Sequence, residues 1–349
     1  MPLPRSSLIT AGTLLSLTIL AAGCSSGAGT TTTTSAGAGG ATGTGGAGST
    51  TSAGSGGGGG EATITTIARS IGPITAQSGM EGTQCITVNL NNPEGAYALR
   101  LRTDLSSGSH HMIVYTSDKT VEELTPTDCQ PFAGILNGEH PLFIAQQPHQ
   151  SLDFPVDDGK PVGFEIKANQ MVKIEMHFID TGDFPLDIVG KVSFDTVPLT
   201  AQVIKSDLAF WGTTMIDIPA NGTGDTGVLF QRALAGTKTF ALTTHQHQLG
   251  KEMRVWYGTG ANDPSKKQVA DSKSWSDPPL ELFAPPLDFP GSGKLSDKGF
   301  AFQCQWQNNT PKDVHFGEGF NDEMCFLWHF YYPSQGFQMC LNGACKTTP

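Results

Sequence analysis

The chain has 349 residues, a formal net charge of −11 and only 15% charged side chains. No basic cluster interrupts that acidic balance, which argues against a nucleic-acid partner. Its length exceeds one small sandwich and fits two domains of ordinary size once the N-terminal segments are set aside.

Residues 1–23 read as a signal peptide: Arg5 supplies a short positive region, and Leu8 to Ala22 is an apolar run too short for a comfortable membrane span. The stretch "LAAGC" resembles a bacterial lipobox with Cys24 as the lipid acceptor, and Ser25 lacks the acidic character of an inner-membrane retention signal. The expectation is an exported cell-envelope lipoprotein, at the outer membrane or cell surface, whose membrane partner is reached through its N-terminal lipid. Residues 24–61 are nearly all Gly, Ser, Thr and Ala. They have too little apolar surface to offset the entropy of ordering, so they are expected to form a disordered tether.

From there on, short alternating runs such as "QCITVNL", "HMIVYT", "MVKIEMHFI", "TFALTTHQH", "EMRVWYG" and "CFLWHFYY" are punctuated by Gly, Pro, Asn and Asp. That pattern predicts an all-β protein with two antiparallel, jelly-roll-like β-sandwich domains in tandem, 62–199 and 200–349. Past Cys24 stand six cysteines, Cys85, Cys129, Cys304, Cys325, Cys340 and Cys345. An even count in an exported chain suggests disulfides, but six cysteines allow fifteen pairings. The spacing in "CLNGAC" suits a tight Asn-Gly turn closed by a Cys340–Cys345 bridge.

Four stretches carry candidate chemistry. In "GSHHMIVY", His110 and His111 are adjacent and would face opposite ways on a regular strand, so joint ligation needs a bulge, which Gly108 permits. In "MVKIEMHFID", Val172, Ile174, Met176 and Phe178 form a core face, and His177 lies opposite with Lys173 and Glu175. In "TFALTTHQH", Thr243, His245 and His247 share the face away from Phe240 and Leu242, so the two imidazoles can chelate one metal. In "NDEMCFLWHFYYP", Met324, Phe326, Trp328 and Phe330 share a face. Each stretch taken alone is equally compatible with surface histidines or a core stripe. His315 is expected to pack near the second set, and His329 to be structural or solvent-facing.

Taken in order, "HHM", "MHF", "HQHQLGK" and "DEMC" resemble the copper type II, ascorbate-dependent monooxygenases, the family of the peptidylglycine α-hydroxylating and dopamine β-monooxygenases. The resemblance implies a copper held by His110, His111 and His177 in the first domain, and a second held by His245, His247 and Met324 in the other. The latter trio is the catalytic one. It implies the disulfides Cys304–Cys325 and Cys85–Cys129, leaving Cys340 and Cys345 as the remaining pair. It further implies O2 and a one-electron donor such as ascorbate, with the two coppers facing each other across an interdomain cleft. The chain departs from the peptidylglycine enzymes at the substrate contacts. Thr243 stands where they carry an arginine, and Phe326 and Trp328 stand where they carry Asn and Tyr. These three residues are expected to line an apolar site for a small, uncharged or aromatic molecule. The competing reading is a non-catalytic copper-binding or delivery lipoprotein.

Overall fold

The structure is a computed structural model that describes residues 49–51, 63–136 and 139–348. The signal peptide, Cys24 and most of the tether lie outside those residues. Ser49–Thr51, within the segment expected to be disordered, instead forms a strand antiparallel to Thr65–Ala76, with Ser49 opposite Ile67. Thr65–Ala76 would otherwise leave its outer N–H and C=O groups unpaired, which makes it a template for such an addition.

Alternation of apolar residues produces strands almost throughout; among the described residues the one α-helix is the short turn Ala133–Leu136. No helix there is long and apolar enough to cross a membrane. In the first half, a five-stranded sheet runs in the order Glu123–Asp128, Glu81–Asn89, Met171–Ile179, Ser109–Ser117, His140–Ala145. It packs on an eight-stranded sheet centred on Leu186–Pro198 and Ala96–Leu105. The approach is close at Gly190, where a Cβ would come within 2.3 Å of Met176 Cε and 2.8 Å of Met112 Sδ.

The second half carries a six-stranded sheet in the order Leu280–Phe289, Thr237–His245, Cys325–Tyr332, Asp207–Thr213, Phe337–Leu341, Ala344–Thr348. Against it packs a five-stranded sheet built on Leu295–Gln307 and Gly250–Gly258. The changeover between halves falls between Lys205 and Asp207, a few residues beyond the expected boundary. Among the described residues, strands pair antiparallel except at two places, Lys160–Ile166 beside Ile204–Lys205 and Asp207–Thr213 beside Phe337–Leu341, with one isolated parallel bridge between Phe316 and Glu323. In the second case the chain reverses after Tyr332 but lands on the far side of Asp207–Thr213, which places two like-directed strands together.

All three disulfides join Cys85 to Cys129, Cys304 to Cys325 and Cys340 to Cys345. The last closes a two-residue turn in which Asn342 (φ 53°) and Gly343 (φ 82°) both adopt the left-handed conformation such hairpins require.

The strand Cys325–Tyr332 shows how the halves are joined. It is buried along its whole length. Leu327 and Tyr331 enter a core confined to the second half, around Trp211, Phe289 and Phe300. Phe326, Trp328, Phe330 and Tyr332 point the other way into a core shared with the first half. There the Phe330 ring lies 6.0 Å from Phe143 and 6.5 Å from Phe164, and Phe154 lies 5.2 Å from Phe240. The apolar surface between halves is therefore core rather than cleft. Unfolding should follow as one calorimetric transition, and Phe330→Ala should cost about 3–5 kcal/mol while keeping it single. Two resolved transitions would contradict a shared core.

Candidate metal centre

Strand register brings the first histidines together. Along the pairing of Met171–Ile179 with Ser109–Ser117, His177 lies opposite His111 and the next pair is Phe178 with Ser109. His110 is thus the extra residue of a bulge, preceded by Gly108 at φ 82°. The bulge lets neighbouring residues turn to the same side. Ring centroids are 5.0 Å apart for His110 and His111, 5.2 Å for His110 and His177, and 5.0 Å for His111 and His177.

The second set grows from the end of Thr237–His245. Its pairing with Cys325–Tyr332 closes at His245 opposite Phe326. Beyond that pair the two segments stay close at Glu323, whose Oε2 accepts from the backbone N–H of Met324 at 3.3 Å. Contacts fix that approach, since His247 N donates to Glu323 Oε2 at 3.0 Å and His247 Nδ1 meets the Asp322 carbonyl at 3.1 Å. The rings of His245 and His247 lie 5.2 Å apart, and Met324 is 1% exposed, within the shared core.

The expected gap between the sets is absent. The His110 ring is 5.9 Å from His245 and 6.1 Å from His247, and His111 is 5.2 Å from His245. Ligating atoms gather within 4.8 Å in two overlapping groups, His110 with His111 and His177, and His110 with His245 and His247. The cleft closes because the sheet bearing His245 shares its inner face with the first half's core.

The hydrogen bonds decide which nitrogens are free. Gln146, at the end of His140–Ala145, donates through Nε2 to the Thr244 carbonyl at 2.9 Å and to Thr243 Oγ1 at 3.2 Å. Its Oε1 must then face His245 Nδ1, 2.7 Å away, so that nitrogen carries the proton. His247 Nδ1 likewise donates to Asp322 O. In both residues Nε2 is left without a partner. His177 is turned the other way, its Nε2 at 3.1 Å from Glu81 Oε1 and its Nδ1 unpartnered. His110 Nε2 and both nitrogens of His111 are unpartnered as well.

All five imidazoles are 9% exposed or less. Burial, reinforced by neighbouring imidazoles, pushes His110, His111 and His245 well below the ordinary histidine value, and burial takes His247 down to about 4. These four rings stay neutral, with lone pairs available. A buried polar atom without a partner costs about 1–3 kcal/mol, and a metal would remove that cost at several nitrogens together. Neither group includes a carboxylate, and an all-imidazole donor set suits a transition metal such as copper rather than the hard cations magnesium and calcium.

Several contributors were missed in the sequence. Glu323, buried and with its carboxyl raised to about 7 by burial, accepts from the backbone N–H of His247 and Leu249 and from Trp306 Nε1. Its place beside Met324 in "DEMC" was the one available signal. Glu81 joins His177 to the second half, accepting from Phe320 N at 2.7 Å. The Trp275 ring covers His110 at 5.4 Å. The expected lining residues are enclosed: Thr243 is bonded to Gln146, and Phe326 and Trp328 stack on Phe210 at 4.5 and 4.7 Å. His329 is buried between Trp211 and Phe300, in keeping with a structural role. His315 is a correction: its side chain is 66% exposed beside Asp217, on a short strand edge that the core does not cover.

Residues 228–348 match the family model described as "Copper type II ascorbate-dependent monooxygenase, C-terminal domain". The match covers the second half only and supports that copper monooxygenase family. Among solved structures, the chain is similar to the major capsid protein P2 from Bacteriophage PM2, at 10% identity over 76% of this chain and 97% of that one, TM-score 0.33. It is also similar to PNGase F, a glycosylasparaginase from Flavobacterium meningosepticum, at 8% identity over 81% and 99%, TM-score 0.32. Both likenesses are too loose to inform the site.

Two outcomes follow from the site's geometry. Gln146→Leu should weaken copper binding at the His245 and His247 set by about 10–100-fold in chelator competition, and Gln146→Glu, which keeps the acceptor, should lose less. Copper affinity at the His245 and His247 set should stay nearly flat from neutral pH to about 5 and fall as His247 protonates near 4. A decline beginning near the ordinary histidine value of 6.5 would contradict the burial argument.

Proposed function

We propose that the chain is a copper-dependent monooxygenase that hydroxylates a C–H bond of a small, uncharged or aromatic molecule, using O2 and a one-electron donor such as ascorbate. The observation that carries the reading is the pair of overlapping imidazole groups, buried and with unpartnered nitrogens. The match of residues 228–348 supports it independently.

Copper held there would supply one-electron redox and a place for dioxygen. The two donor sets are unlike, and the reading gives them different tasks. His110, His111 and His177, all nitrogen, would hold one copper and supply electron storage. His245, His247 and Met324 would hold the other and supply the oxygen chemistry, a soft sulfur favouring the reduced ion. Gln146 and the Asp322 carbonyl keep the Nδ1 protons in place and so reserve Nε2 for the metal. Burial keeps bulk water and stray protons away. Each turnover consumes one O2, two electrons and two protons, and yields one hydroxylated product and one water. Anchoring at Cys24 and residence at the outer membrane or cell surface belong to the same proposal, with three disulfides in keeping with an exported chain.

The burial of all five imidazoles also favours a second reading, a non-catalytic copper-binding or delivery lipoprotein. Labelled oxygen separates the two. Extracts incubated with the copper-loaded chain, ascorbate and labelled O2 should contain a product that gains one labelled atom. Copper binding without any labelled product points to the carrier. Met324→Ile should lower turnover by about 100-fold or more while the three-histidine set keeps its copper. Glycine-extended peptides should not be hydroxylated, because Thr243 offers no charged clamp and is already bonded to Gln146.

A further inference from the structure

One side chain between the imidazoles and the aromatic wall belongs to neither donor set. The Phe132 ring lies 5.4 Å from His111 and 5.6 Å from His245 on one side. On the other it lies 6.5 Å from Phe326 and 6.4 Å from Trp328. Its backbone has φ 55°, a left-handed conformation that a bulky residue adopts only where its surroundings hold it.

The contacts that hold the strap are specific: Ile135 N donates to the Phe132 carbonyl at 3.1 Å and Cys129 N to the Thr83 carbonyl at 3.0 Å. Phe132 N–H donates to Glu175 Oε1 at 2.9 Å. Two residues upstream, exposed Gln130 donates to Glu318 of the second half at 3.0 Å. Cys129, bridged to Cys85, pins the start of this strap. Immediately outside lies a cavity of about 250 Å³ lined by Glu81, Thr83, Cys129, Pro131, His177 and Glu318. The cavity already reaches His177, and the strap Cys129–Phe132 lies between it and the rings of His111 and His245.

We propose that Phe132 is a displaceable plug, that the chamber its ring fills is the binding site for the substrate's own ring, and that the outer cavity is the way in. The occupant is a neutral, single-ring aromatic. A phenyl ring already fits the chamber, and Glu81 and Glu318 at the cavity repel carboxylates. Naming the occupant as substrate rests on the monooxygenase reading; the displacement itself does not.

Stopped-flow tryptophan fluorescence on the full chain, metal-free and copper-loaded without reductant, would compare benzyl alcohol with benzoate. For the wild type, binding of benzyl alcohol should show a rate that saturates with concentration, because plug opening precedes it. Gln130→Ala, an exposed change that frees the strap, should raise the plateau about threefold or more. Phe132→Gly, which suits the left-handed backbone, should remove saturation and speed binding at least about tenfold, with Tm lowered by the ~5–15 °C that removing a buried ring costs. Benzoate should bind about tenfold more weakly throughout.

The proposal is overturned if the wild type binds no benzyl alcohol, if its rate rises linearly and Gln130→Ala leaves it unchanged, or if Phe132→Gly folds without faster binding. Should Phe132→Gly fail to fold, the Gln130→Ala plateau decides. No turnover is needed here, so a plugged chamber in a chain without oxygenase activity fails only the labelled-oxygen assay, and an active enzyme with a fixed Phe132 fails only this one.

Discussion

Burial of five imidazoles aimed at one another is what the surrounding fold has to sustain. They are 9% exposed or less and several of their nitrogens have no partner. Water would satisfy such groups at no cost on a surface, so their burial demands compensation from elsewhere. Compensation comes from packing. Three of the rings are carried by the first half and two by the second, and the rings meet only because Phe326, Trp328 and Phe330 enter a core shared by both halves.

The polar contacts around the centre cross the same boundary. Gln146 belongs to the first half and sets the tautomer of His245 in the second. Glu81 binds His177 and the backbone of Phe320. Each half thus orients a donor group or an adjoining segment of the other, and neither would present its lone pairs correctly alone. His110 stands within reach of both donor groups.

Much of this was legible in the sequence. Alternation located the strands, the order of four short motifs selected the histidines, and "CLNGAC" marked its own bridge. Gly108 signalled the irregularity that lets His110 and His111 turn together. Less legible was burial on both faces: the side of Met171–Ile179 carrying Lys173, Glu175 and His177 reads as polar but is covered by the strap and the opposing half. Gln146 and His245 are 99 residues apart, and no local pattern links them. The absence of a cleft, and Phe132 standing in its place, are consequences of how two cores merge, which spacing along the chain does not encode. His315 failed for the complementary reason, since nearness to a motif in sequence did not bring it into the core.

The most direct test is X-ray absorption on the reduced chain carrying its full complement of copper, with the metal content measured on the same sample. The account predicts two coppers per chain, nitrogen donors throughout, and sulfur scattering equivalent to one thioether shared over the two. A single copper, or a nitrogen-only environment with no sulfur, would contradict it.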